Sequence, residues 1–386
     1  MSITSNDITT VYEESNATQH YLSPNRKDNV KVCWEEAFSR FVFKQAILSI
    51  DTPARKKLRV LDVGAGIGDG YSLLSDLLAQ EPSLDRYNLD YLGIDISPEM
   101  VETANNLYKN NINVRFEQAD IRKKIPESLF DLYLSCGVPY SHLTHEELET
   151  VLKILFERIL KHQCRCAVVI DVLGKYSIEW QPHWGESRWN YNMSFFKSEG
   201  EAKPTLMSFY SHDHLEKIIR SAASEVGCPI QKLAFFDRSI VVGRHTSTGA
   251  FNPELPEYRN LVNSLLDQNQ KTDLNKLILQ VGSGDAPEYI IEFFHKFSGL
   301  WNTIIAEAAE LLHEPLDVDR LKLPSHLESL DVLIKQNFAN PSLTDDRQRI
   351  EFALAEKLQQ LETTCQQGYG VGHDLFGVVW LDTTNC

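Results

Sequence analysis

Between residues 59 and 172, short apolar strands alternate with amphipathic helical stretches, and this order constrains the fold more than any other feature of the chain. Arg59–Val63 reads as a strand and Gly70–Gln80 as a helix; Asp90–Asp95 is a second strand, followed by a helix from Ser97 to Asn110. Ser97 can cap that helix, Pro98 suits its first turn, and Glu99 suits the positive end of its dipole. Asn113–Gln118, Phe130–Cys136 and Arg165–Val172 supply strands three to five, with a helix over Thr144–Lys161 between the last two. A βαβα order implies a parallel sheet with helices on both faces. Such sheets bind ligands outside the carboxyl ends of their strands. A site is therefore expected on the loops that start at Gly64, Asp95, Asp120, Cys136 and Gly174.

Upstream, Asn29–Leu48 has apolar residues at helical spacing, and residues 1–57 are expected to form a helical segment or lid. Downstream, Ser211 can cap a helix to Glu225. Pro229–Phe236 and Ser239–Gly243 are then expected as two final strands, closing a domain over 58–248. Residues 249–386 are mostly helical in pattern and end in a glycine-rich tail, Gly368–Gly377. Residues 250–386 carry 10 basic and 21 acidic side chains, most of the net charge of −16. This region is expected to cover the active site, with its tail toward the pocket, or to join two subunits as a homodimer. The plainer alternative is a helical decoration that only buries apolar surface.

An acidic chain is a poor partner for nucleic acid, whose binding rests on Lys and Arg. No apolar run reaches the roughly 18 residues of a membrane span. The N-terminus lacks the basic–apolar–small order of a signal peptide. Seven cysteines form no C-x-x-C pair, so no metal site is expected, and Cys164 and Cys166 suit a strand interior. A cytoplasmic protein is the expectation.

The chemistry is concentrated in Val60-Leu-Asp62-Val-Gly64-Ala-Gly66-Ile-Gly68-Asp-Gly70. Its glycines let the backbone approach a ligand where a strand enters a helix. The position that would complete the dinucleotide fingerprint G-x-G-x-x-G is Asp69, and Asp62 sits where a phosphate-binding turn gains nothing from a carboxylate. Asp62 can instead accept hydrogen bonds, through water, from an ammonium group. Asp95 closes the next strand, where a carboxylate can take both hydroxyls of a ribose.

On these residues the chain resembles the class I S-adenosylmethionine-dependent methyltransferases over roughly residues 30–245. The resemblance implies a Rossmann-like, seven-stranded α/β sheet with helices on both faces and the last strand antiparallel, here followed by the helical C-terminal region. It implies that S-adenosyl-L-methionine lies with its methionine half at Asp62, Gly64 and Gly66 and its ribose at Asp95. Ile96 would lie along the adenine, with Asp120 and Ile121 at the adenine edge, and Ser135 and Cys136 would border the methionine amino group.

Cys136-Gly-Val-Pro-Tyr140 echoes the Asn/Asp-Pro-Pro-Tyr motif of nucleic-acid amino-methyltransferases, but lacks the amide or carboxylate that chemistry needs. Tyr140 and His142 are the candidates for a base at the acceptor; each is equally readable as packing. The long segment 175–210 holds Trp180, Trp184, Glu186, Trp189 and Tyr191, three of the chain's six tryptophans among them. These residues are expected to bind the acceptor, their π-faces and carboxylates favouring a cation. Their alternative is a satellite core packed against residues 250–386. The leading expectation is methyl transfer to a small metabolite at an amine nitrogen. Transfer to oxygen or carbon, a protein substrate, and a non-catalytic subunit are the alternatives.

Overall fold

The computed structural model describes residues 17–23, 26–50, 56–191, 205–243, 251–282 and 284–384. Strands β1 (Lys57–Val63), β2 (Asn88–Asp95), β3 (Val114–Gln118), β4 (Leu132–Ser135) and β5 (Arg165–Gly174) lie parallel in the order β3-β2-β1-β4-β5. Helices α2 (Ala37–Ile50) and α3 (Asp69–Gln80) cover one face, while α5 (His145–His162) and α6 (His212–Val226) cover the other. Two further helices, α1 (Ala17–Leu22) and α4 (Pro98–Leu107), complete this half. Because both faces are covered, strand residues are apolar in both directions. In β1, Leu61 and Val63 join the α5–α6 core, while Leu58 and Val60 join the α2–α3 core.

The end of the sheet departs from the sequence expectation. β8 (Ile230–Arg238) forms as expected, but Ser239–Gly243 does not become a strand. Ser239 turns the chain with φ of +61°. The N–H groups of Val241 and Val242 then donate to Glu362 Oε1, at 2.7 and 3.1 Å, instead of to a neighbouring strand. The last strand is β9 (Asp374–Asp382), which runs antiparallel between β5 and β8. Arg165 lies opposite Asp382 and Leu173 opposite Asp374. Leu375, Val379 and Leu381 enter one core and Phe376, Val378 and Trp380 the other, as a central strand requires.

Residues 251–365 are therefore an insertion between the last two strands and not a C-terminal appendage. They carry α7 (Tyr258–Leu265), α8 (Glu288–Leu311), α9 (Leu330–Asn337) and α10 (Asp346–Cys365). The expected boundary near 250 falls on residues 244–250, outside the described residues. The glycine-rich tail does not reach for the pocket either: it wraps the buried Asp237 of β8. That carboxylate accepts N–H bonds from Tyr369, Gly370, Val371 and Gly372 at 2.7, 2.8, 2.9 and 3.3 Å. The close approach needs glycine, since a Cβ at Gly372 would lie 2.4 Å from Arg238 O. Among the described residues, no helix is long and apolar enough to cross a membrane.

Candidate active site

Where the parallel strands end, the structure holds a cavity of about 1450 Å³, counting its open mouth. Its floor is the turn after β1. Gly64, Gly66 and Gly68 have φ of +68°, +53° and +102°, left-handed conformations that cost other residues about 1–2 kcal/mol. A Cβ on Gly64 would lie 2.4 Å from Pro139 Cβ, whereas a Cβ on Gly66 would meet nothing within 4 Å. Gly66 is thus the glycine that borders open space.

Asp95, at the end of β2, accepts the Gly66 N–H through Oδ2 at 2.8 Å and the Ser97 N–H through Oδ1 at 2.9 Å. Burial pushes its carboxyl pKa up, against these bonds. Asp62 lies behind the turn, fully buried, and accepts the Tyr91 hydroxyl. Its Oδ1 has no hydrogen-bond partner among the described residues. Burial raises its pKa to about 8, even though the Tyr91 bond works the other way.

Asp120 lines the cavity with Ile96, Ile121 and Cys136. Its carboxylate is clasped by Arg122, whose Nε and Nη2 each reach it at 2.9 Å. Partial burial opposes ionisation there, but Arg122 outweighs it and the pKa is lowered. Ser135, expected beside the cofactor, is instead buried between β4 and β5. Its Oγ accepts the Asp171 N–H at 2.8 Å and donates to Val169 O at 3.1 Å.

One wall runs from Cys136 to Leu143, where Asp171 Oδ2 accepts the Gly137 N–H at 2.7 Å. Burial raises the Tyr140 phenol and brings the Cys136 thiol up to about 12. Burial, with the nearby Arg122 charge, lowers the His142 imidazole to about 4, so it is neutral at pH 7. The opposite wall includes Tyr21, Arg26, Lys27, Lys31, Glu36 and Ser39, with Arg238 from the end of β8. The sequence marks none of these. Tyr21–Lys27 precede the helical spacing, and the only local signal at Arg238 is a charge closing an otherwise mainly apolar strand.

Trp180, Trp184, Trp189 and Tyr191 are absent from the cavity wall, which corrects the expected acceptor site. All four are buried. Trp184 stacks on Phe294 of α8 at 5.5 Å and donates its Nε1–H to Ser177 O at 2.8 Å. Trp189 lies flat against Phe209 and His183 at 4.5 and 4.3 Å, and Tyr191 against Phe251 at 5.0 Å. Trp180 donates to Gly174 O at 3.0 Å. Glu186 is exposed and meets His183 Nδ1 at 2.8 Å. Ring faces already covered by protein cannot take a cation. These aromatics join the hairpin of β6 (Arg188–Tyr191) and β7 (Thr205–Tyr210) to the helical insertion; residues 192–204, with Phe195 and Phe196, lie outside the described residues.

Residues 60–163, which span the turn, Asp95, Asp120 and the Cys136–Leu143 wall, match a family model described as a methyltransferase domain. Over this stretch the chain is similar to a methyltransferase domain. No curated protein matches the chain. Among solved structures, it is similar to a TehB-like SAM-dependent methyltransferase from Corynebacterium glutamicum. Identity there is 18% over 58% of this chain and 87% of that one, with a TM-score of 0.33. It is also similar to an S-adenosylmethionine-dependent methyltransferase from Mesorhizobium loti, at 14% identity over 54% and 88% of the two chains and a TM-score of 0.34. A DhpI-SAM-HEP complex is similar at 14% identity, over 62% of this chain and 94% of that one, with a TM-score of 0.39.

Proposed function

We propose that this methyltransferase methylates a small molecule that enters the same cavity, at an amine nitrogen. The observation that carries the reading is enclosure. Among the described residues, Tyr21, Arg26, Lys31 and Ser39 line the cavity together with Cys136, Tyr140 and Leu143, so an acceptor would approach the Gly64–Gly66 turn within a lined space. A small molecule fits such a passage better than a folded protein surface does.

The residues present suit the cofactor. Gly66 leaves open space, Asp95 would accept ribose hydroxyls, and Ile96 and Ile121 would flank the adenine beside Asp120. Gly64 and Cys136 would border the methionine half, above the orphaned Asp62 Oδ1. When bound, the cofactor supplies a methyl group on a positively charged sulfur. The chain's own contribution to an in-line displacement is positioning and exclusion of water.

The amine assignment rests on the cavity wall, where no strong base stands among the described residues. Tyr140 and Cys136 hold their protons, and His142 is neutral but weakly basic. A neutral amine attacks through its lone pair and afterwards releases a proton to His142 or water, whereas an alcohol needs a stronger base during attack. The test is to incubate the full chain with methyl-labelled cofactor and a metabolite extract. Label in a base-stable, low-molecular-mass product is expected. Label on protein, or in a base-labile ester, would overturn the proposal.

A further inference from the structure

We infer that Arg259, in the helical insertion, is a positioning residue for the cofactor: it holds Asp28–Glu36 so that Lys31 presents its ammonium to the carboxylate of the methionine half. The inference rests on the cofactor and on no particular acceptor.

Arg259 is 5% exposed and every arm of its guanidinium is committed to a partner. Nε and Nη2 donate to the two oxygens of Asp28 at 2.8 and 2.7 Å, a bidentate fork. Nη1 donates to Glu35 and, at 2.9 Å, to Gly243 O. Glu35 is itself buried, and its other oxygen lies 3.2 Å from Lys31 Nζ. Arg259 and Lys31 therefore share one buried carboxylate, and Lys31 lines the cavity. Asn263, one turn further along α7, donates to Asp28 at 2.9 Å and accepts the Val30 N–H at 3.0 Å. Asp28 also accepts the Lys31 N–H at 2.7 Å. The segment so held, Lys31–Glu36, is wound as a π-helix, a rare form that is frequent at functional sites.

The charges explain why the grip matters to binding. Asp28 and Glu35 are balanced by Arg259 and Lys31. Without Arg259, more of the neutralisation of the buried Glu35 falls on Lys31, and the ammonium is drawn inward from the cavity. Lys31 lines the same cavity as Gly64 and Cys136, which would border the methionine half. With Arg26 it brings the Asp69 carboxyl down against burial, and with Arg238 it opposes the burial that raises the Cys136 thiol. Asp69 and Cys136 flank the glycine turn. The insertion is thus part of the cofactor site although none of its side chains lines the cavity.

The test is calorimetric titration of S-adenosylhomocysteine into the full chain, so a failed acceptor assignment leaves it intact. Lys31→Met and Arg259→Gln should each weaken binding about tenfold, the scale for a charge-assisted hydrogen bond. Because both act through one ammonium, the double variant should bind no worse than Lys31→Met alone. Losses that multiply to about a hundredfold, or wild-type affinity in Arg259→Gln, would overturn the inference. Should Arg259→Gln fail to fold, Asp28→Asn takes its place: it should weaken binding about threefold in the wild type and not at all beside Lys31→Met. Wild-type affinity in Asp28→Asn, or an equal loss in both backgrounds, would count against it as firmly.

Discussion

The backbone N–H of Gly66 donates to the carboxylate of Asp95 at 2.8 Å, tying the turn after β1 to the end of β2. One carboxylate thereby shapes the glycine turn and faces the cavity beside it. Asp95→Ala should weaken S-adenosylhomocysteine binding by about 1.5–3 kcal/mol, and Asp95→Asn, which keeps an acceptor for Gly66, by less. Calorimetry checks both; equal affinity in wild type and Asp95→Ala would refute the assignment.

Gly66 and Gly64 should fail in opposite ways. A methyl group on Gly66 points into empty space, so Gly66→Ala should lose only the 1–2 kcal/mol of left-handed strain, roughly, while binding falls steeply. Gly64→Ala drives its Cβ into Pro139 and should unfold the turn. The comparison needs Tm and Kd for each variant, and a destabilised Gly66→Ala that still binds normally would contradict it.

Three buried carboxyls give stability an unusual pH dependence. Burial raises Asp62 to about 8, Glu362 to about 7 and Asp237 to about 6. Each folded value lies above the unfolded one, so these groups hold more protons in the folded chain and their contribution to stability falls as pH rises. Below about pH 6.5 the lowered His142 and His145 act in the opposite sense, so Tm should decline from about pH 6.5 to about pH 8, and Asp62→Asn should make that decline shallower. A Tm that climbs over this range would show that these carboxyls are ionised in the fold.

Because β9 is a central strand, a chain ending before Asp374 should not fold into a working domain, however complete its glycine motif. Asp237→Ala is a milder version: it strands four N–H groups of residues 369–372 and should cost at least about 2 kcal/mol. Urea denaturation measures the loss, and a cooperative, wild-type midpoint for Asp237→Ala would exclude the anchoring role.

Trp184 gives a prediction that separates packing from binding. Trp184→Ala should lower stability by about 3–5 kcal/mol, the range for emptying a buried aromatic site. Its acceptor KM, measured on the folded fraction, should stay at the wild-type value. A raised KM with unchanged stability would return Trp184 to the acceptor site.

The sequence by itself determined what neighbouring residues decide. Asp62-Val-Gly64-Ala-Gly66 reads as a ligand turn because the left-handed φ values belong to those glycines, whatever surrounds them, and Ser97 and Pro98 mark the start of α4 in the same local way. The βαβα alternation likewise carries its own face-to-face pattern. Only the tertiary structure decided where β9 belongs, since its pairing joins Arg165 to Asp382 and no local signal says which strands an apolar run will separate. It also decided that Trp180, Trp184 and Trp189 face the insertion and not the cavity, because an aromatic cluster suits a core as well as a binding site until its partners are known. Arg259 shows the limit most clearly. Its partners Asp28 and Glu35 lie 231 and 224 residues away in the chain, and a charge pair of that span exists only once folding has brought both ends to one place.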